Sequence, residues 1–231
     1  MNQGILADGI TRKQVVLPHP GKVGVNWKGE RVHFALGEIK FLSFPETFYM
    51  TRVQKNTKID YPNLLLIAGN GRNVGKTYFA CRVIKSLSKQ SPITGLKITS
   101  HIHEHNGNDV LIKDKHYVIL QEKQITGKDS SLMLQAGAKQ VFFVMARPEY
   151  LPEAFEKLSA FLPETPIVCE SGGLHEIINP GLFFFIQSIG TVLKKPHHLI
   201  HNPIIVNNDG EKLKFDYTKI QLINNKFSFV S

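Results

Sequence analysis

Residues 64–80, LLLIAGNGRNVGKTYFA, hold the types and spacing in this chain best suited to chemistry. An apolar run of strand length passes into a glycine-rich loop, and Gly75-Lys76-Thr77 opens a helical pattern. A triphosphate needs that order: glycines let the backbone approach, successive N–H groups turn inward, and the helix N-terminus adds partial positive charge. The cradle expected here is Gly69, Asn70, Gly71, Arg72, Asn73, Val74 and Gly75. Lys76 would reach the β- and γ-phosphates, and the Thr77 hydroxyl would bind Mg2+. The spacing is G-x-x-x-x-x-G-K-T, with Asn70 where the shorter usual loop has glycine. Arg72 and Asn73, at the loop apex, would face solvent or a second substrate. Cys81, one turn into the helix, reads as a small packing residue rather than a nucleophile.

Such a loop calls for an acid at the end of a neighbouring strand, holding magnesium directly or through water. Glu170 leaves the apolar stretch PIVCE with glycines beyond it, and is read as a magnesium or catalytic-water residue in preference to a helix cap. A second acid lies in Gly127-Lys128-Asp129-Ser130-Ser131. Asp129 or Ser130 can cap the following helix by accepting first-turn N–H bonds; alternatively Lys128 and Asp129 stand beside the phosphates. Both readings remain open at this stage.

His101, His103 and His105 alternate along the chain, so an extended backbone would put all three imidazoles on one face. That arrangement suits a metal ion, a substrate contact or a solvated loop, the last two being preferred because cysteine partners are missing. His197, His198 and His201 follow Pro196 and read as a surface turn. For base recognition, Asn207 or Asn208 would read adenine and Asp209 a guanine edge, against a plain turn, which Asn-Asp-Gly favours.

These groups must be positioned by something, and the periodicity says by what. Residues 1–62 read as a β-rich extension, with strands at 22–27, 31–36 and 39–44, the first two as a hairpin. Residues 63–195 alternate apolar runs with helical patterns, the mark of a mainly parallel sheet with crossover helices. Strands are expected at 64–69, 95–99, 117–120, 140–145, 166–170 and 182–186. Helices are expected at 75–88, 129–136 and 150–162, the last with Phe155, Leu158 and Phe161 inward, and a short one at 174–178. Residues 196–231 read as a β-rich tail, with strands at 204–206, 212–215 and 227–230. The fold class is therefore α/β, three-layered, of the phosphate-loop NTPase type.

Two resemblances attach to these segments. The long loop is similar to that of dethiobiotin synthetase and the cobyrinate amidotransferases, and Glu170-Ser171-Gly172-Gly173 looks like the E-G-x-G-G element of dethiobiotin synthetase, with Ser171 in place of a glycine. TGKDSSLMLQAGAKQV from Thr126 resembles a stretch of the molybdopterin-guanine dinucleotide biosynthesis protein B family. GLKITSHIHEH from Gly95 is similar to that family's strand and histidine-rich tract. These blocks run in the family's order over residues 63–186. The resemblance implies GTP binding and an accessory role in building a molybdopterin-type cofactor.

Composition sets the limits. At 231 residues, 42% hydrophobic and 20% charged, the chain can bury a core. Its net charge of +9 lies wholly in residues 1–115, which carry 17 basic and 8 acidic side chains. That field suits an anionic ligand. Two cysteines provide no disulfide framework, no apolar run reaches membrane-spanning or signal-peptide length, and a cytoplasmic, membrane-free protein is expected. No aromatic-basic module supports nucleic-acid binding. The function expected is Mg2+-dependent binding and hydrolysis of GTP or ATP, with a small molecule or protein as unidentified acceptor and a homodimer as an admissible assembly. An ATP-dependent ligase of the dethiobiotin synthetase type and a non-catalytic nucleotide-binding regulator are the alternatives.

Overall fold

The computed structural model describes residues 58–103, 109–127, 129–194, 196–210 and 213–230, and the backbone of five short strands before them. Two compact units emerge, Met1–Thr57 and Lys58–Ser231. In the first, Gln3–Gly4 pairs with Val15–Val16, and His33–Phe34 pairs with the start of Gly37–Phe44, which pairs in turn with Thr47–Arg52, all antiparallel. The strand expected at 22–27 lies outside the described residues; that at 39–44 falls within Gly37–Phe44.

The second unit is a mixed α/β fold on an eight-stranded sheet. Its elements are β1 (Ile59–Gly69), α1 (Lys76–Leu87), β2 (Thr94–Thr99), β3 (Val110–Lys113), β4 (Tyr117–Glu122), α2 (Asp129–Gln135) and β5 (Gln140–Ala146). There follow α3 (Leu151–Ser159), β6 (Ile167–Ser171), β7 (Ile178–Ser188) and β8 (Ile204–Asn208). The spatial order is β8-β7-β1-β6-β2-β5-β4-β3. Pairing is parallel from β8 through to β5, and antiparallel only at β5–β4 and β4–β3.

The alternation of strand side chains sorts the apolar residues into two cores. Leu64, Leu66, Ala68, Leu96 and Cys169 face α3, whose Leu151, Ala154, Phe155 and Leu158 cover them. Leu65, Ile67 and Val168 face α1, which contributes Phe79, Ala80, Val83, Ile84 and Leu87. Because both faces are covered, the central strands are continuously apolar, as expected of a parallel sheet. Among the described residues no helix is long and apolar enough to cross a membrane.

β1 starts before the expected boundary, and Pro62 lies inside it. A proline has no N–H to give a ladder, and the pairing leaves room for that. Pairing with β6 begins only at Leu64, and the register with β7 shifts between Pro180 and Leu182, opposite Pro62. Three further expectations change, two of them in the tail. Leu213–Phe215 is not a strand, although Leu213 is buried. A hairpin of β9 (Ile220–Ile223) and β10 (Lys226–Phe229) closes the chain, its turn made by Asn224 and Asn225 at φ 52° and 61°. The helix expected at 150–162 stops at Ser159, leaving Phe161 41% exposed rather than inward.

The tail joins the α1-side core through aromatic rings. Phe79 is fully buried, with ring centroids 5.1 Å from Phe184, 5.0 Å from Phe215 and 5.3 Å from Tyr217. Phe79→Ala removes the centre of that cluster and should destabilise by roughly 3–5 kcal/mol. The urea midpoint should fall, and limited proteolysis should cut within 213–230 earlier than in the parent protein.

Candidate functional site

The loop after β1 is shaped by alternation of backbone hand. Gly71, Asn73 and Gly75 have φ of 134°, 58° and 97°, while the residues between them stay on the ordinary side. Such alternation is how successive N–H groups are turned toward one concavity. Gly75 precedes α1 with no side-chain cap, and no acid occupies the helix's first turn, so no carboxylate of the helix itself offsets the positive end of its dipole. Gly69 is required by space: a Cβ there would come within 2.8 Å of Ile186 O and of Val74 Cγ2.

Two asparagines hold the loop from outside. Asn70 donates its amide to Val192 O at 2.9 Å and accepts from Lys194 N at 2.6 Å. Asn208, at the end of β8, donates to Val74 O at 3.0 Å. Lys76 Nζ folds back over the loop and donates to Gly71 O at 2.5 Å.

Beside the loop, register does the positioning. Glu170 of β6 pairs with Ile67 of β1 on one side and Lys97 of β2 on the other. In a parallel ladder such partners share a face, here the α1 face near the strands' C-terminal ends. Lys97 Nζ is 2.8 Å from Glu170 Oε2, 2.9 Å from Asp129 Oδ2 and 3.3 Å from Thr77 Oγ1. Thr77 Oγ1 in turn donates to Glu170 Oε2 at 2.7 Å. The Glu170 side chain is 6% exposed and that of Lys97 13%, whereas Asp129 is open to solvent. One ammonium thus stands among two carboxylates and a hydroxyl, an oxygen-rich cluster able to hold a cation.

Cluster and loop line one cavity of about 950 Å³. It receives Gly69, Gly71, Arg72, Asn73, Gly75, Lys76, Thr77, Asp129 and Glu170, together with Lys97, Tyr78 and His101. Asn70 and Val74, expected to contact the ligand, do not line it: the Asn70 side chain is turned away to residues 192–194, and Val74 is buried under the loop. Asn207 does not line it either; it lies on the exposed side of β8 and accepts from Gln187 Nε2 at 2.9 Å. Asp129 turns its carboxylate to Lys97, and the Ser130 hydroxyl bonds Glu122. Lys128 and His105 lie outside the described residues.

His101 and His103 are exposed, and His101 Nε2 accepts from Arg72 Nη2. Neither belongs to a metal-sized grouping among the described residues. The surface turn expected at 197–201 is a 3-10 turn, Pro196–His201, with His197 exposed but His198 fully buried against Phe185. Ser171 accepts from Gly173 N and Leu174 N and so fixes the bend after β6.

Lys97 is the functional candidate missed in the sequence. Its signal was a lone cation inside the strand GLKIT, costly to bury without a partner. Comparison of the chain with protein-family models, curated proteins and solved structures gives no match.

The cluster also sets the character of Cys81. Burial first, then the negative charges of Glu170 and Asp129, push its thiol up to about 11. At pH 8 only about one thiol in a thousand is then ionised, so iodoacetamide should label Cys81 roughly a hundredfold slower than a free cysteine, with labelling accelerating toward pH 10–11. Fast labelling at pH 8, read by mass spectrometry, would contradict the arrangement. Lys97→Met strands the buried Glu170 carboxylate and should cost roughly 2–4 kcal/mol in urea unfolding. Adding Glu170→Gln should recover most of that loss, the non-additivity measuring the contact.

Proposed function

We propose that the cavity binds a nucleoside triphosphate with Mg2+ and that the protein hydrolyses it or transfers its terminal phosphoryl group. The observation carrying this reading is the meeting of Lys76, Thr77, Lys97, Asp129 and Glu170 beside a loop whose backbone alternates in hand and ends at an uncapped helix. Anions are favoured at such a helix start. Carboxylate and hydroxyl oxygens are the hard donors that Mg2+ prefers, so the residues present fit the ion. Bound Mg2+ supplies charge neutralisation to the phosphate oxygens.

The chain's own residues do the rest. Backbone N–H groups of residues 71–77 hold the phosphates in one orientation. Lys76, resting on Gly71 O, exchanges a carbonyl for a phosphate oxygen, a stronger charge-assisted partner. Thr77 and Glu170 hold the ion side of the site. Lys97 keeps the carboxylates neutralised before a ligand arrives and offers positive charge to the terminal phosphate afterwards. Catalysis in this scheme is positioning and charge compensation, with little covalent work for the protein. The acceptor is water or a second substrate in the cavity beyond Asp129 and Glu170. The resemblance in residues 63–186 extends the proposal to GTP or ATP use in assembling a molybdopterin-type cofactor.

Thermal denaturation with ATP, GTP, their diphosphates and non-hydrolysable analogues, each with and without Mg2+, should raise Tm for triphosphate plus Mg2+. Lys76→Ala should weaken that binding roughly tenfold or more while leaving the ligand-free melting unchanged. Glu170→Gln should keep binding and lose Mg2+-dependent release of labelled phosphate. Stabilisation by no triphosphate, or turnover unchanged in both variants, would remove the reading.

A further inference from the structure

A second constellation stands five residues beyond Glu170. The bend after β6 carries His175 and Glu176 in the 3-10 turn Leu174–Glu176, and Pro196–His201 brings back His197, His198 and His201. From the His175 ring centroid, His198 is 4.2 Å away, His201 4.9 Å and His197 6.3 Å; His197 and His198 are 4.6 Å apart. The coordinating atoms of His175, His197 and His198 lie within 4.8 Å of one another, and so do those of His175, Glu176 and His201.

Packing alone is a poor account of this gathering. His198 is fully buried and His175 1% exposed, lying against Phe185 and Phe183 of β7. An apolar side chain would fill either place without desolvating two ring nitrogens. Converging imidazoles are instead the donors preferred by borderline divalent transition metals, which bind imidazole nitrogen at about 2.0–2.1 Å. The candidate ligand atoms lie within 4.8 Å of one another, and side-chain rotation would be needed to close on an ion.

The two groupings share His175, and the surroundings favour one of them. His201 Nδ1 is 3.1 Å from the Lys58 ammonium, which also donates to His175 O at 2.6 Å. A cation bound beside that ammonium meets repulsion. Glu176 Oε1 lies 2.9 Å from His175 Nε2. That carboxylate is placed to serve as a further ligand, or to hold one nitrogen of the ring while the other coordinates, the arrangement common around metal-bound histidine.

We propose that His175, His197 and His198 form a binding site for a borderline divalent transition-metal ion of the Zn2+ class, with Glu176 orienting His175 or completing the shell. His197 and Glu176 also line the cavity of the loop and Glu170. The ion would therefore border that cavity, and where Glu176 only orients His175, three imidazoles leave a coordination position for water or a ligand held there. The proposal stands without the nucleotide reading, since the metal alone is the probe.

The test uses the full chain without a histidine tag, titrated with Co2+ and followed by its ligand-field absorption, then with Zn2+ in competition. One equivalent should bind with the intense visible spectrum of a four-coordinate site, and Zn2+ should displace it. His197→Ala alters an exposed side chain and spares the fold; it should weaken binding roughly 100-fold, and Glu176→Gln about tenfold. His101→Ala/His103→Ala should bind as the parent does. Absence of a stoichiometric Co2+ spectrum would overturn the proposal. So would a spectrum kept in His197→Ala and lost in the His101/His103 variant.

Discussion

The Glu170 carboxylate is buried at the middle of a parallel sheet, and the surrounding arrangement answers the cost of keeping it there. An isolated charge in such a place is severely disfavoured. Lys97 on the adjacent strand supplies the opposite charge at 2.8 Å, and Thr77 a hydrogen bond at 2.7 Å. At an effective dielectric near 20, unit charges 4 Å apart attract by about 4 kcal/mol, a gain that the desolvation of both partners largely cancels. The cluster is thus no efficient source of stability, and apolar residues of similar volume would hold β6 to β2 as well. What it does provide is a set of oxygens and cations pinned to two strands and the first turn of α1.

The rest of the site is arranged around that cluster. The loop can lie over it because Gly69 permits contact with Ile186 O and Gly75 adopts the left-handed turn that starts α1. Asn70 and Asn208 brace the loop against residues beyond β7 and at the end of β8, so its shape depends on chain more than a hundred residues away. The tail packs against the same first turn of α1, where Phe79, two residues after Thr77, meets Phe184, Phe215 and Tyr217. A rigid α1 keeps Thr77 in place. Open parallel sheets gather ligands at the C-terminal ends of their strands, and the cavity lies there.

The local parts of this arrangement were legible in the sequence. A buried strand, a glycine loop and a helix in succession are fixed by nearby residues, and an acid ending an apolar run marks a strand end at Glu170. Lys97 was not legible as a partner, because its meaning depends on the register between β2 and β6, strands about seventy residues apart. The same limit explains Asn70 and Asn207: each sits in a plausible segment, but the direction of its side chain is decided by residues 192–194 and by Gln187. His198 read as a surface group because nothing local tells that β7 will pass beneath it. The final hairpin, in contrast, carried a local signal in Asn224-Asn225, a pair suited to positive φ. The strands around it are short, and their alternation is weak.

A crystal structure of the full chain grown with Mn2+ in place of Mg2+ and a non-hydrolysable triphosphate addresses the central claim most directly. The account predicts phosphates against the backbone of residues 71–77, Lys76 released from Gly71 O onto a phosphate oxygen, and an anomalous Mn2+ peak beside Thr77 and Glu170. A loop left empty at saturating triphosphate, with Lys97 still bound to both carboxylates, would contradict it.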